Sequence, residues 1–436
     1  MLADTLRKAF YIAKSGRPGP VLVDVTKDVT AATYEYSLRR PATINRETET
    51  IRREDLETAA QMIEEAKKPY IFVGGGCVIS GASKEISELA HKIQAPVCDS
   101  LMGKGAFSGE DPLYTGMLGM HGTKTSNLGV SGCDLLIVLG ARFSDRVTGN
   151  TKTFAKNAKI LQIDVDAAEI NKNIVVDASV VGDEKEVLKR ILAEVPEMRH
   201  SEWTAHISEL KEKYPLRYDH SQLTGPYIIE KLYELTKGDA IITTEVGQNQ
   251  MWATQYLDID EKRQMITSGG LGTMGFGFPA AIGAKIGNRD TEVVCVTGDG
   301  GFQMNIQEMA TAIVQGTPVI ICLLNNQYLG MVRQMQQLFY GKRYSAVCLR
   351  KRRSCPANCK GPNEACPPYT PDFVALAESY GAHGIRVERE EDIQAALDKA
   401  RTYKDAPTVI EFLISSDEIV LPMVKGGNPM SEMILK

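Results

Sequence analysis

The sequence predicts an α/β protein built from doubly wound parallel-sheet domains, and three observations carry that prediction. Helical and strand patterns alternate from about residue 54 to 197, and the alternation resumes from Pro226 to the C-terminus. Chains that alternate in this way build βα units on a parallel sheet. The strand candidates Tyr70 to Val73, Leu135 to Leu139, Val293 to Val296 and Val319 to Leu324 are short, continuous apolar runs, as strands buried on both faces require. Finally, Val293 to Val296 leads into Gly298-Asp299-Gly300, a helical stretch follows from about Asn305 to Val314, and the next apolar run ends at Asn325-Asn326. A right-handed crossover makes these two strands parallel. Their carboxyl ends then lie side by side, where open α/β sheets take ligands.

The elements follow in order. Residues 1 to about 30 read as one helix, LADTLRKAFYIAKSG, and one strand, PVLVDV, with Pro18 and Pro20 at the join. A single αβ unit cannot bury its own core and must pack on something else. The polar stretch YSLRRPATINRETETIRREDLE reads as a linker. Helices are expected at about 54–66, 83–94 and 184–195, with strands at Tyr70 to Val73, Leu135 to Leu139 and Ile160 to Val165. The more polar residues 198–224 hold a short helix. The expected division is therefore 1–45 as one αβ remnant plus linker, 46–200 as a central domain, 201–225 as linker, and 226–436 as the last domain.

Composition excludes several classes. A chain of 436 residues holds two or three domains. Its 43% apolar and 24% charged content is ordinary for a globular protein. A net charge of −5 gives no electrostatic case for nucleic acid. No apolar run reaches membrane-spanning length, and the N-terminus lacks a signal peptide's apolar core. A cytoplasmic location is expected. Of nine cysteines, Cys77, Cys98, Cys133, Cys295 and Cys322 are scattered, as core residues in a reducing compartment would be.

The chemistry centres on the last domain. Asp299 and Asn326 offer two hard oxygen ligands at neighbouring strand ends, which suits Mg²⁺ carrying a phosphorylated ligand. Gly298, Gly300 and Gly301 let the backbone approach a pyrophosphate near a helix N-terminus. Gly-Asp-Gly alone is a weak signal; paired with Asn325-Asn326 it resembles the thiamine diphosphate motif. In the central region Gly74-Gly75-Gly76 follows a strand, so backbone can approach a ligand there. Arg142 and Arg146 follow another strand and suit a diphosphate. Asp164 ends a third and suits ribose hydroxyls. Gly270 to Gly275 also matches GxGxxG, but no strand directly precedes it and no acidic residue is suitably placed.

Several linked motifs stand in order: Gly16-Arg17-Pro18-Gly19-Pro20-Val21-Leu22-Val23-Asp24, Met120-His121-Gly122, Gly140-Ala141-Arg142-Phe143, Gly269-Gly270-Leu271-Gly272-Thr273-Met274-Gly275, and the Gly-Asp-Gly to Asn-Asn unit. Together they resemble the catalytic (large) subunit family of acetolactate synthase over essentially the whole chain. The resemblance implies a pyrimidine-binding domain, a central FAD-binding domain and a pyrophosphate-binding domain. It implies thiamine diphosphate-dependent decarboxylation of pyruvate and condensation with a second 2-oxoacid, in branched-chain amino acid synthesis. The implied cofactors are thiamine diphosphate, Mg²⁺ and a largely structural FAD. The implied assembly is a homodimer or homotetramer, with a small regulatory subunit as a further partner.

The resemblance also implies residue roles. Asp299, Asn326 and the Tyr328 carbonyl hold Mg²⁺. Val246, Gly247, Gln248 and Asn249 cradle the diphosphate, with Asn249 where the family often has His. Gly272, Gly330 and Met331 touch the cofactor, and Met274 is the apolar prop that bends thiamine. The FAD set is Arg17, Gly74, Gly75, Gly76, Ser100, Leu101, Leu118, Gly119, Met120, His121, Gly140, Arg142, Arg146, Val147, Asp164, Val165, Gly182, Asp183, Gln250 and Met251. His121 is expected to pack or touch flavin rather than act as a base. Lys27, Met331, Val332, Met335 and Phe339 form the substrate channel. Met335 stands where the family usually has Trp, which leaves the second-substrate preference open.

Two departures stand out. The family's catalytic glutamate belongs to a part of the pyrimidine domain upstream of residue 1, so this chain by itself is expected to be inactive. The segment 346–370 is an insertion, AVCLRKRRSCPANCKGPNEACPPYT, in which Cys348, Cys355, Cys359 and Cys366 are placed to ligate Zn²⁺ or an iron–sulfur cluster, or to remain free thiols. The alternative functions are another thiamine diphosphate enzyme, of pyruvate oxidase or 2-oxoacid decarboxylase type, and a non-catalytic subunit that binds FAD and thiamine diphosphate.

Overall fold

Parallel strands with helices on both faces dominate the computed structural model, which describes residues 2–40, 50–260, 265–350, 352–356, 366 and 371–435. The first sheet contains β1 (Pro69–Val73), β2 (Val97–Asp99), β3 (Tyr114–Met117), β4 (Leu135–Leu139), β5 (Lys159–Asp164) and β6 (Ala178–Val181). Its order is β3-β2-β1-β4-β5-β6, all parallel. The order reverses between β1 and β4, so their carboxyl ends form a crevice. The second sheet contains β7 (Ile241–Thr244), β8 (Met265–Ile266), β9 (Val293–Gly298), β10 (Ile320–Asn325), β11 (His383–Val387) and β12 (Thr408–Leu413), in the order β11-β12-β10-β9-β7-β8, again parallel. A small antiparallel pair, β13 (Met423–Val424) and β14 (Met433–Ile434), lies near the end of the chain.

The apolar runs are buried because helices cover both sheet faces. Every residue of β1, β4 and β10 is buried. One face of the first sheet packs on the helices Arg53–Glu65, Ser83–Lys92 and Glu184–Glu194, through Leu56, Ile63, Ile86, Leu89, Val187 and Leu188. The other face receives Val130, Trp203 and Ile207. In the second sheet, Ile228, Ile229 and Leu232 cover one face, and Phe278, Ala281 and Phe302 cover the other.

Three expectations change. The helix Leu2–Lys14 forms, but PVLVDV is not a strand. A strand needs a neighbour's N–H and C=O groups, and among the described residues none pairs with it. Residues 201–225 are not a bare linker. The helix Ser201–Lys213 packs on the first sheet, and Trp203 Nε1 donates to the Pro69 carbonyl at 3.0 Å. The last domain does not keep the whole C-terminus, because Val424 and Met430 join the core of the first sheet. Part of the expected linker, residues 41–49, lies outside the described residues. No helix among the described residues is long and apolar enough to cross a membrane.

Candidate functional site

A cavity of about 1320 Å³ opens between the carboxyl edges of the two sheets. Its first wall grows from the β1/β4 crevice. Gly74 and Gly140 follow those strands so closely that a Cβ on Gly74 would lie 2.1 Å from the Gly140 carbonyl oxygen. Gly75, Gly76, Ser100, Leu101, Leu118, Met120, His121, Gly140, Arg142, Arg146, Val147, Asp164, Val165 and Asp183 all line this half, together with Arg17 from the N-terminal segment. Gly74, Gly119 and Gly182 are not part of the lining. They pack behind it, Gly119 against Arg146 and Val147 and Gly182 against Ile51. Lys27, at the start of the exposed helix Lys27–Ala31, does not line the cavity either.

Charges on this wall are mostly arranged by their neighbours. Arg17 donates to Glu169 at 2.7 Å and to Asp166 at 3.2 Å. Asp164 accepts the Asp166 amide at 2.9 Å, and burial raises its pKa. Arg142 and Arg146 remain exposed. Burial pushes the His121 pKa down to about 4, so the ring is neutral at pH 7. Its Nδ1 has no hydrogen-bond partner. A base that weak is poorly matched to proton transfer near neutrality.

The second wall grows from β7, β9 and β10, which are adjacent in the sheet. After β7 the chain turns through Gly247 (φ +140°) into the helix Gln248–Tyr256. Val246, Gly247, Gln248, Asn249, Gln250 and Met251 line the cavity. The helix N-terminus and its unpaired N–H groups therefore face the space, an arrangement that attracts anions. Asn249 is 6% exposed, and its Oδ1 has no partner. Gly272, Met274, Gly298, Gly300 and Gly301 complete this part of the wall.

Asp299 and Asn326 meet here. Asp299 is 2% exposed. Its Oδ1 accepts the Gly300 amide at 2.8 Å and its Oδ2 the Gln327 amide at 2.5 Å. Burial raises its pKa to about 7, while those amides pull it back. No cationic side chain is bonded to it among the described residues. Asn326 Nδ2 donates to Gln248 Oε1 at 3.1 Å, and its Oδ1 accepts the Tyr328 amide at 3.0 Å. Between them Gln327 adopts φ +67°, a conformation that non-glycine residues rarely take. A buried carboxylate without a cation, an amide oxygen and a tight turn that can present a carbonyl form a donor set suited to a hard divalent cation. The arrangement fits a diphosphate with its metal.

The helix Gly330–Phe339 supplies the remaining side. Gly330, Met331, Val332, Met335 and Phe339 all line the cavity, with Tyr328. Gln334, which sequence reasoning missed, is buried behind this side at 1% exposure and does not line the cavity. Its Oε1 accepts from Gln248 Nε2 at 3.0 Å and from the Val420 amide at 2.7 Å. Glu245, just before the diphosphate-type loop, was missed as well. Glu245 adjoins the 246–249 loop and Gln334 lies among the channel residues that the resemblance implied, but burial is not readable from one sequence.

The cysteine insertion does not build a metal centre in the described residues. Cys348 and Cys355 are free thiols, Cys359 lies outside the described residues, and no group of three metal-ligating side chains gathers among the described ones. The first residues of the insertion instead brace the Asn326–Tyr328 turn. Tyr328 and Cys348 form an antiparallel bridge, with Leu329 N donating to Val347 O at 2.8 Å and Leu349 N to Gln327 O at 3.0 Å.

Comparison with known proteins agrees with this geometry. A family model described as thiamine pyrophosphate enzyme, C-terminal TPP binding domain, matches residues 245–412, and one described as thiamine pyrophosphate enzyme, central domain, matches residues 56–191. The chain is 41% identical to an acetolactate synthase large subunit of Cyanidium caldarium, covering 99% of this chain and 73% of that protein. It is 42% identical to that of Corynebacterium glutamicum, covering 99% and 68%. It is 39% identical to that of Haemophilus influenzae, covering 100% and 75%. With the cavity, the thiamine pyrophosphate domains and these relatives in agreement, the chain belongs to the acetolactate synthase large subunit family of thiamine pyrophosphate enzymes.

Proposed function

We propose that the chain serves a thiamine diphosphate-dependent acetolactate synthase, with Mg²⁺ on Asp299, Asn326 and the Tyr328 carbonyl. Pyruvate and a second 2-oxoacid are its substrates, and branched-chain amino acid synthesis is its setting. The observation that carries this is the convergence of three adjacent strand ends: the 246–249 loop after β7, Asp299 after β9 and Asn326 after β10. Bound thiamine diphosphate supplies the electron sink that decarboxylation of a 2-oxoacid requires. The residues of this chain do the placing. The helix N-terminus at Gly247 and the cation offset the diphosphate charge. Met274 reaches into the cavity as an apolar prop, and Met331, Val332, Met335 and Phe339 wall the channel above it, where a largely apolar lining keeps water from the reacting atoms.

The first-sheet half of the cavity suits FAD in the same proposal. Gly75, Gly76 and Gly140 line it at the ends of β1 and β4, with Gly76 and Gly140 packed on each other and on Glu184 too closely for side chains. Arg142 and Arg146 are exposed along it, and Asp164 ends β5 where ribose hydroxyls can be held. A homodimer or homotetramer in the cytoplasm is part of this reading, and the relatives' description as large subunits supports a smaller partner. The test is the product that the complete enzyme containing this chain makes from pyruvate with thiamine diphosphate, Mg²⁺ and FAD in aerated phosphate buffer, followed by NMR. Acetolactate is expected. Acetyl phosphate would indicate an oxidase and acetaldehyde a decarboxylase.

A further inference from the structure

Glu245 is 1% exposed and does not line the cavity. No cation reaches it among the described residues. Its hydrogen bonds all come from backbone N–H groups of cavity-forming turns. One carboxylate oxygen, Oε1, accepts from Val246 at 2.9 Å and from Gly275 at 2.8 Å. The other, Oε2, accepts from Gly277 at 3.3 Å. Its stem fills the space beside Gly301, where an added Cβ would fall 2.1 Å from Glu245 Cγ. One side chain therefore touches the 246–249 loop, the turn that carries Met274, and the Asp299–Gly301 turn.

A buried carboxylate close to an anion site is costly unless its hydrogen bonds are made. Here the donors converge from segments that are distant in sequence, so the group measures the spacing between them. Gly275 (φ +94°) is held on its other side by Asn305 Nδ2, which donates to the Gly275 carbonyl at 2.8 Å. Met274 sits directly before this doubly tied glycine. On the open side of the turn Leu271 is 94% exposed, and the ties there are local ones, from the Gly272 amide to the Ser268 carbonyl at 3.1 Å and from the Thr273 amide to Ser268 Oγ at 3.1 Å.

We propose that Glu245 is a positioning residue that sets Met274 against the diphosphate loop and the Asp299 turn, so that the prop and the phosphate site are held at one fixed separation. This rests on the thiamine diphosphate reading. A neutral glutamine of the same shape offers one acceptor where the carboxylate offers two, and it turns an NH₂ group toward N–H donors. Losing such buried hydrogen bonds weakens a preformed site by about tenfold to a hundredfold.

The experiment is Glu245→Gln, with thiamine diphosphate affinity measured by calorimetry in excess Mg²⁺, and with chymotrypsin cleavage of the ligand-free protein mapped by mass spectrometry. The expected result is an affinity weaker by about tenfold or more, together with faster cleavage confined to residues 268–276. Unchanged cofactor affinity, or faster cleavage spread over the whole chain, would show a merely structural residue and overturn the proposal. If Glu245→Gln does not fold, Glu245→Asp carries the test. It keeps the charge but draws the oxygens back from Gly275 and Gly277, and the same loss is expected. Failure of the unaltered protein to bind thiamine diphosphate would instead count against the functional reading.

Discussion

In the cation site proposed above, Asp299 sets metal and proton in competition. Its carboxyl, ordinarily near 3.8, is pushed to about 7 by burial. That is a rise of about three pKa units, which corresponds to about 4 kcal/mol against ionisation in the metal-free protein. The sign follows from proton binding. The folded chain holds this proton more tightly than the unfolded chain, so Asp299 lowers stability progressively as pH rises from about 4 to about 7, and by a constant amount above that. A divalent cation must displace the proton below pH 7, so its affinity should fall by up to about tenfold per pH unit there and level off above. Calorimetric titration of Mg²⁺ at pH 6 and pH 8, with saturating thiamine diphosphate, reads this directly. Asp299→Asn should bind the cation weakly at both pH values. It should also remove the share of Asp299 in the fall of metal-free stability between about pH 4 and 7, while buried Glu418, pushed up to about 7, continues to contribute. Equal Mg²⁺ affinity of the unaltered protein at pH 6 and pH 8 would refute the argument.

Other outcomes follow from the same packing. Gly330→Ala places a Cβ 2.0 Å from Gln248 Oε1 and 2.7 Å from Asn326 Nδ2; denaturant titration should show a loss of about 1–3 kcal/mol, with weaker Mg²⁺ binding. Met274→Ala should leave diphosphate affinity nearly intact but lower kcat by about 10²-fold, because misplacement of the reacting group is costly. Trp203→Ala should cost about 3–5 kcal/mol in the first-sheet domain and leave cation affinity unchanged, which calorimetry and thermal unfolding would show.

Much of the architecture was legible because strands covered on both faces must be continuously apolar. The β4 run Leu135–Leu139 and the β9 and β10 runs lie where their composition put them. Short or half-polar strands such as β2, β3 and β6 were not separable from loops, since three or four residues carry no period. The PVLVDV run shows the converse: apolar and β-branched residues favour a strand only when a partner is present. In the site, glycines and oxygen ligands at strand ends were readable, because chemistry restricts the residue types there. Glu245, Gln334 and the bracing of Tyr328 by Cys348 were not, because each role depends on contacts between segments far apart in sequence. The cysteine spacing alone suggested a metal centre, and the three described cysteines do not assemble one.

The most direct measurement of the central claim is calorimetric titration of the protein with thiamine diphosphate, with and without Mg²⁺, alongside unphosphorylated thiamine. The helix N-terminus at Gly247 and the Asp299–Asn326 pair predict tight binding that requires both the diphosphate and the cation. Binding that is absent, or equally strong with EDTA present or for unphosphorylated thiamine, would contradict that account.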